Sequence, residues 1–557
     1  MAGPEQNAAI WYGGDGYDPD GKGINGRRVA GASFLKGFLR HAAVDEFVTV
    51  AQTDAARDEF LAQKNRYAPD ATHRAVSERD LRKLSPVGTI YYPAPNFANL
   101  CWQRQSFGRH NHSICGITHT TATQAVMRGF FDLRAGPQAE WDAVICTSRA
   151  VRAATVRNIE IADDFLRTRF GFVPPRPQLP VIPLGINCDD FAHDPAARAA
   201  LRGRMGWDDD DVAIVTISRL LPYGKFDPGP MFIALQQAAG ILAGQRRLHY
   251  VACGLYADNH SRQVFEDCAR LLMPDVGFLH LPGDDPVARA ETLSGGDIFA
   301  FPIDNIQETF GLAPIEAMAA GLPVVVSDWD GMRDTIPPEV GMRISTRMVG
   351  SAAAAGEGRG HLSGEFSYPQ YGNRLSMLTQ IDLAEMTDAF TTLARDADLR
   401  RRMGAAGQAR ARADYDWRMV VPRLQDFWAE LAAIRRLYAT RPEPGDRFNP
   451  VAPSPADLFA SYASGRLDRD RDRLFVSGTP ARLKLILQAR RYAGIGQPAE
   501  TPGTLEKTLE AFARQAGRGV TVKELAKELG WNVLTVERCV LFFLKYGLIT
   551  RAGQGER

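Results

Sequence analysis

Cysteine is scarce and unpatterned: seven residues, Cys101, Cys115, Cys146, Cys188, Cys253, Cys268 and Cys539, odd in number and without a C-x-x-C. That argues against a disulfide framework or a zinc ribbon and fits a reducing cytosol. Neither sign of charge dominates, with 66 Lys plus Arg against 65 Asp plus Glu and a net charge of +1. A global basic field for nucleic acid is excluded, although a local patch is not. No stretch approaches the ~18 continuous apolar residues of a membrane span. The N-terminal MAGPEQNAAIWYGGDGYDPDGKG lacks a basic segment followed by an apolar run, so no secretory signal is expected. No fixed-period repeat occurs. What is present is an ordinary globular composition, 45% hydrophobic and 24% charged. The 557 residues are enough for about three or four domains at roughly 150 residues each.

From Ala8 to about Ile434, nearly all-apolar runs alternate with helical patterns. The runs are 8–12, 46–51, 89–92, 113–118, 143–148, 179–184, 212–218, 248–253, 276–281, 297–302 and 323–328. Continuous apolarity is what strands buried on both faces require, and repeated βα units argue for parallel sheets covered by helices. Eleven such strands exceed one comfortable domain. The reading is therefore an α/β chain with two Rossmann-like parallel-sheet domains, 1–185 and 186–436, the second ending in closing helices. SAAAAGEGRGHLSGEFSYPQYGNRLS (351–376) reads as a long Gly- and Ala-rich loop. RPEPGDRFNPVAPSP (441–455) is a Pro-rich linker within a linker and charged helical segment at 437–503, where Thr479-Pro480 starts a helix. Residues 504–557 form a small, mostly helical module.

The densest local signal is QETFGLAPIEAMAAGLPVVVSDWDG, residues 307–331. It follows the apolar run DIFAFP and reads as a loop, then a helix with Pro314 in its first turn and Gly321 past its end, then another strand. Glu308 lies on the loop and Glu316 eight residues on. Loop and helix sit at the carboxyl end of a parallel strand, where open α/β sheets bind ligands. N–H groups around Phe310, Gly311 and Leu312 would point at an anion, and the two carboxylates could accept hydrogen bonds from sugar hydroxyls.

This string resembles the E-x7-E region of the retaining, nucleotide-sugar-dependent glycosyltransferases of family four, which have the GT-B fold: two Rossmann-like domains facing a cleft. The resemblance covers roughly residues 8–436, with VIPLGINCDDF (181–191), ISRLLPYGKF (217–226) and DLRRRMGAAGQARARADYDW (398–417) in the family's order. It implies a metal-independent retaining transfer of a hexose-type sugar from a nucleoside-diphosphate sugar to a hydroxyl of a glycan, lipid-linked glycan or protein. It implies that Glu316 binds the donor ribose, Glu308 holds hydroxyls of the transferred sugar, and Arg219 and Lys225 neutralise the diphosphate. Two cations suit the charge that develops on a diphosphate leaving group. The family spaces its Arg and Lys five apart, whereas here they are six apart, an extra residue that the Leu-Pro-Tyr-Gly turn would absorb. His119, after the run SICGIT, matches a family histidine near the transferred sugar. It is not assigned as a general base, because the leaving phosphate is thought to take the acceptor proton.

Gly21-x-Gly23-x-x-Gly26 is a weak dinucleotide fingerprint, since eight residues separate it from its strand. Gly23 and Gly26 suit an acceptor-side or phosphate loop equally well. From Asp18, a calcium loop would need oxygen ligands where Lys22 and Val29 stand. Asp208–Asp211 precedes a strand rather than following one and reads as a solvated turn. No catalytic metal and no cofactor besides the donor are expected.

GVTVKELAKELGWNVLTVERCVLFFLKYGLITR (519–551) resembles a winged helix-turn-helix, with Thr521 capping its second helix and Thr535-Val536 opening its third. Exposed Leu541, Phe542 and Leu544 would suit packing on the chain or self-association through 504–557 rather than nucleic acid. FLKGFLRH (34–41) mixes apolar and basic residues and leaves peripheral membrane contact open. The expected location is cytoplasmic, with room for the membrane's inner face. A nucleotide-sugar epimerase on the same scaffold, and a sugar-nucleotide-sensing regulator acting through the C-terminal module, remain alternatives.

Overall fold

The computed structural model describes residues 3–17, 26–222, 224–440, 450–492, 500–515 and 517–552. The chain divides into a large unit, Met1–Asn449, and a smaller one, Pro450–Arg557.

The large unit contains two six-stranded sheets in which every strand pairing is parallel. The first holds β1 (Ala9–Tyr12), β2 (Glu46–Ala51), β3 (Thr72–Ser77), β4 (Thr89–Tyr92), β5 (Ser113–Ile117) and β6 (Ala143–Ile145), in the order β3-β2-β1-β4-β5-β6. The second holds β7 (Val212–Ile217), β8 (Leu248–Cys253), β9 (Gly277–Leu281), β10 (Ile298–Phe301), β11 (Val324–Ser327) and β12 (Gly341–Ile344), in the order β12-β11-β10-β7-β8-β9. Both are the doubly wound order in which the chain reverses direction beside its first strand, opening a crevice at the strands' carboxyl ends. The expected architecture of two Rossmann-like sheets is therefore present.

Several details differ from expectation. Run 179–184 forms no strand: Pro180 and Pro183 have no N–H to donate, and its Val181 makes only an isolated bridge to Cys146, just past β6, beside one from Gln178 to Ala143. Edge strands β3 and β12 escaped the sequence reading because their partly exposed faces carry polar residues (THRAVS and GMRI). FLKGFLRH is core, with Phe34, Leu35, Phe38 and Leu39 all buried. The apolar side of this segment is thus unavailable to a membrane. Among the described residues, no helix is long and apolar enough to cross a membrane.

Helix Trp417–Ala439 leaves the second sheet's side and packs on the first. The crossing is pinned where Ile186 and Asp416 pair as an isolated bridge, with Ile186 N donating to Tyr415 O (2.8 Å) and Trp417 N to Ile186 O (3.0 Å). Trp417 Nε1 donates to Ser33 Oγ at 2.9 Å, and Trp428 lies edge-on to Phe38 and Tyr91. Buried Arg435 donates to Ser113 Oγ (2.7 Å) and Gly88 O.

The segment read as a loop at 351–376 contains two helices, Ala355–Ser363 and Tyr368–Ser376, framed by the antiparallel strands β13 (Thr346–Met348) and β14 (Thr379–Ile381). Short Gly-rich helices have little intrinsic stability. Contacts hold this hairpin instead: His361 stacks on Tyr371 (4.4 Å between centroids), Arg374 lies over Phe366, and a Ser367/Gln370 capping box opens the second helix.

The small unit has helices Pro480–Tyr492, Pro502–Arg514, Val522–Leu529 and Val533–Lys545, and a ribbon of β15 (Leu474–Val476) with β16 (Ile549–Arg551). Its boundary falls at Pro450 rather than 504, because Leu474 and Leu483 are buried in the same core as Leu509, Phe512, Val540 and Phe543. Thr521 caps its helix as expected. The next helix opens at Asn532–Val533 rather than Thr535, the Asn532 side chain accepting from Leu534 N. Phe542 and Leu544 are half-buried against the core, so the exposed positions of that helix include Leu534, Arg538, Leu541 and Lys545.

Candidate functional site

The second sheet reverses between β7 and β10, which are hydrogen-bonded neighbours. The loops leaving their carboxyl ends therefore emerge side by side, and they carry Arg219 and Glu308. A cavity of about 400 Å³ lies there, lined by Gly26, His119, Arg219, Lys225, Glu308, Phe310, Gly311, Leu312 and Glu316. These are the singled-out residues except Gly23, which lies outside the described residues.

After β7 the chain is held by Ser218 N to Cys253 O (3.1 Å) and Leu220 N to Leu255 O (2.9 Å). It then turns, with Gly224 N and Lys225 N both donating to Leu221 O (3.2 and 2.9 Å). Lys225 Nζ lies 2.5 Å from Glu308 Oε2 and 5.0 Å from the centre of the Phe301 ring.

Glu308 Oε1 accepts from Gly311 N at 3.0 Å. The Gly311 N–H at the start of helix Leu312–Ala319 is thus engaged by the protein's own carboxylate in this structure. Gly311 has φ +86°, a left-handed conformation that glycine takes without a Cβ clash. Burial alone would raise the Glu308 pKa, but the Lys225 charge and the Gly311 and Phe310 N–H groups outweigh it and hold it below the usual carboxylate value. Glu316 behaves oppositely. It is 8% exposed, and burial raises its pKa against the weaker pull of Arg289, whose Nη2 is 3.8 Å from Oε2.

Sequence reasoning missed Arg289, Asp330 and Tyr368. Arg289 is on helix Pro286–Gly295 and lines the cavity with Gly254 and Gly283. A Cβ at Gly254 would collide with Ser218 O, and one at Gly283 would stand 2.6 Å from the Gly254 Cα. At these two positions the cavity is lined by bare backbone. Asp330 stands at φ +47° with its Oδ2 sealed and unpartnered, while Oδ1 accepts from Ser148 Oγ at 3.3 Å. Burial, reinforced by the Glu308 charge, pushes its carboxyl up to about 8 despite the Gly331 N–H.

The first sheet closes the cavity from the other side with neutral groups. Thr309 Oγ1 donates to His119 O (3.2 Å), Thr147 Oγ1 to Thr309 O (3.3 Å), and Thr120 Oγ1 lies 3.1 Å from the Tyr368 hydroxyl. Among the described residues, no group of three or more His, Cys, Asp or Glu could hold a metal ion. Asp211, expected in a solvated turn, is buried and pairs with Arg247 Nε at 2.9 Å.

Residues 199–355 match the family model described as glycosyl transferases group 1, and the match ends where helix Ala355–Ser363 begins. A GDP-mannose-dependent alpha-(1-6)-phosphatidylinositol monomannoside mannosyltransferase of Mycobacterium tuberculosis is 26% identical over 276 residues, 48% of this chain and 60% of that protein. A D-inositol 3-phosphate glycosyltransferase of Geodermatophilus obscurus is 32% identical over 186 residues, 31% of this chain and 38% of that protein. The chain thus spans less than two thirds of the length of these curated relatives. Among solved structures, Anabaena Alr3699/HepE in complex with UDP is similar at a TM-score of 0.48, with 14% identity over 75% of this chain and 98% of that one. Sucrose-phosphate synthase from Thermosynechococcus elongatus follows at 0.44, with 16% identity over 78% and 100%.

Proposed function

We propose that this chain, whose residues 199–355 match the glycosyl transferases group 1 model, moves a hexose-type sugar from a nucleoside-diphosphate sugar to an acceptor hydroxyl, with retention and without a catalytic metal or further cofactor. The observation that carries this reading is the convergence of Arg219, Lys225, Glu308, Glu316 and Arg289 on one cavity at the reversal point of the second sheet.

In this reading the donor lies over the bare backbone at Gly254 and Gly283. Glu316 accepts from the ribose hydroxyls, and Arg289 orients it. Glu308 accepts from hydroxyls of the transferred sugar. Its lowered pKa keeps it ionised at neutral pH, so it acts only as an acceptor. Arg219 and Lys225 stabilise the charge that grows on the departing diphosphate. Lys225 reaches it by exchanging its ion pair with Glu308 for the phosphate oxygens, which frees Glu308 for the sugar. His119 flanks the transferred sugar, and the departing phosphate accepts the acceptor's proton. GDP-mannose heads the donor candidates because a relative's name specifies it. The acceptor is a carbohydrate, lipid-linked or protein hydroxyl, and the seven free cysteines fit a cytoplasmic setting.

The test is nucleoside-diphosphate release from a panel of GDP-, UDP- and ADP-sugars with candidate acceptors, followed by product mass and the anomeric configuration from NMR coupling constants. Release that depends on donor and acceptor, with the anomeric configuration kept, supports the proposal. An inverted product would reject retention, and absence of release together with undisturbed nucleotide binding by Glu316→Ala would reject the donor-site assignment.

A further inference from the structure

The helical hairpin at 355–376 lies beyond the stretch that matches the family model, yet it contributes to the cavity wall. Its second helix sits on the loop that carries Glu308. A Cβ at Gly372 would lie 3.2 Å from Asn305 Oδ1 and 3.3 Å from Gln307 Nε2, so the helix backbone rests directly on that loop. The same hairpin touches the first sheet's side at two points: Tyr368 meets Thr120 at 3.1 Å, and Gln124 Nε2 donates to Leu362 O at 3.2 Å.

Between these anchors stands Tyr368, part of the cavity lining together with His119, Thr120 and Gln307. Its hydroxyl is engaged by Thr120, which fixes the ring, and the stacked His361 and Tyr371 stiffen the hairpin behind it. The donor-side groups of the cavity are charged, whereas this wall combines one flat aromatic ring with a hydroxyl and a carboxamide. A flat ring takes the C–H face of a cyclic polyol, and the groups beside it take the rim hydroxyls. An open-chain polyol has no such face and loses more conformational freedom on binding.

We propose that the 355–376 hairpin is the acceptor-selecting wall of the cleft, and that Tyr368 seats a ring-shaped acceptor, a pyranose or cyclitol, against the donor sugar. The proposal rests on the transferase reading above.

The experiment uses the full-length protein with whichever of GDP-mannose and UDP-glucose it binds. Methyl α-D-mannopyranoside and myo-inositol serve as ring acceptors, and D-mannitol and glycerol as open-chain acceptors. The wild type is expected to use the rings in preference to the chains. Tyr368→Ala should raise the KM for the ring acceptors about tenfold, as loss of an aromatic contact of this kind does, and erase the preference, while the dissociation constant of the nucleoside diphosphate stays within about twofold. Tyr368→Phe keeps the ring and should restore most of the preference, which separates acceptor seating from a folding defect. A Tyr368→Ala enzyme with unchanged ring preference, or a wild type that binds nucleotide but favours open chains, would overturn the inference while leaving the donor site standing. A protein that binds neither GDP nor UDP would sink the donor reading and this inference with it.

Discussion

The two six-stranded sheets share one strand order but use charge in opposite ways. The first lobe neutralises its charges inside the fold. Arg104 is wholly buried against Asp142 (2.7 Å, Nη2 to Oδ2), and Arg134 against Asp163 (2.7 Å). Its strand ends meet the cavity with Thr120 and His119. The second lobe brings Arg219, Lys225, Arg289, Glu308 and Glu316 to its strand ends, in a cavity lined by bare backbone at Gly254 and Gly283. The same topology thus yields a lobe whose buried ionic groups hold structure and another that also gathers ionic groups at one cavity, where the proposed donor would bind. Function resides in what each topology carries at its loop ends.

Substitutions can break that contrast, beginning with the largest expected effect. Asp142→Ala would strand the Arg104 guanidinium and also remove the acceptor of Ile114 N and Ala139 N. Losing one partner of a buried pair costs about 3–5 kcal/mol, which chemical denaturation would read as a lower midpoint, with nucleotide affinity preserved in the folded fraction. Glu308→Ala should do the reverse. Sugar transfer should fall about 10²–10³-fold, the scale of losing one organised electrostatic contact, while the melting temperature falls less than in Asp142→Ala, because the Lys225–Glu308 pair is partly exposed. A large loss of stability with activity per folded molecule intact would erase the proposed contrast.

Glu316→Ala removes the carboxylate proposed to accept from the ribose of the donor nucleotide. A loss of about 1.5–3 kcal/mol in nucleotide binding is expected, measurable by titration calorimetry with GDP and UDP. An unchanged affinity would move the ribose elsewhere.

The smallest effect concerns the junction between the lobes. Burial pushes the Asp330 carboxyl up to about 8 from its ordinary value of 3.8. The folded state therefore binds more protons than the unfolded one between those values. Its stabilising contribution is complete below pH 3.8 and is lost as pH rises through about 8. Asn tolerates the left-handed conformation at this position and cannot ionise. Asp330→Asn should accordingly raise the melting temperature more at pH 8 than at pH 5, and an equal shift at both pH values would show that this carboxyl does not titrate there.

The legibility of these features in the sequence followed their physics. Central strands such as VAIVTI and IFAF are apolar on both faces and stood out without any structural knowledge. β3 and β12 lie at sheet edges, where partly exposed faces relax the pattern, and they did not. The run at 179–184 was apolar enough to mimic a strand, but two prolines denied it the ladder. The hairpin at 355–376 looked like a loop because its glycines and alanines give no amphipathic stripe, and its helices depend on His361, Tyr371 and Phe366 meeting after folding. Glu308, Glu316, Arg219 and Lys225 were readable because they sit in recognisable strings. Arg289 and Asp330 were not, since an arginine on an amphipathic helix and an aspartate in a turn are ordinary until the fold brings them to a carboxylate or seals them from water.

By itself, the order of residues determined the alternation of buried strands with helices, the doubling of that unit, and the strand-loop-helix string from 307 to 331, because hydrophobic periodicity and turn chemistry act over a few residues. Only tertiary structure decided that Lys225 would meet Glu308, that Glu316 would lose its water, and that Tyr368 would stand opposite Thr120. Each of those outcomes depends on groups far apart along the chain sharing a small volume from which solvent is largely removed. In such a volume charge and hydrogen-bonding capacity are governed by neighbours rather than by sequence.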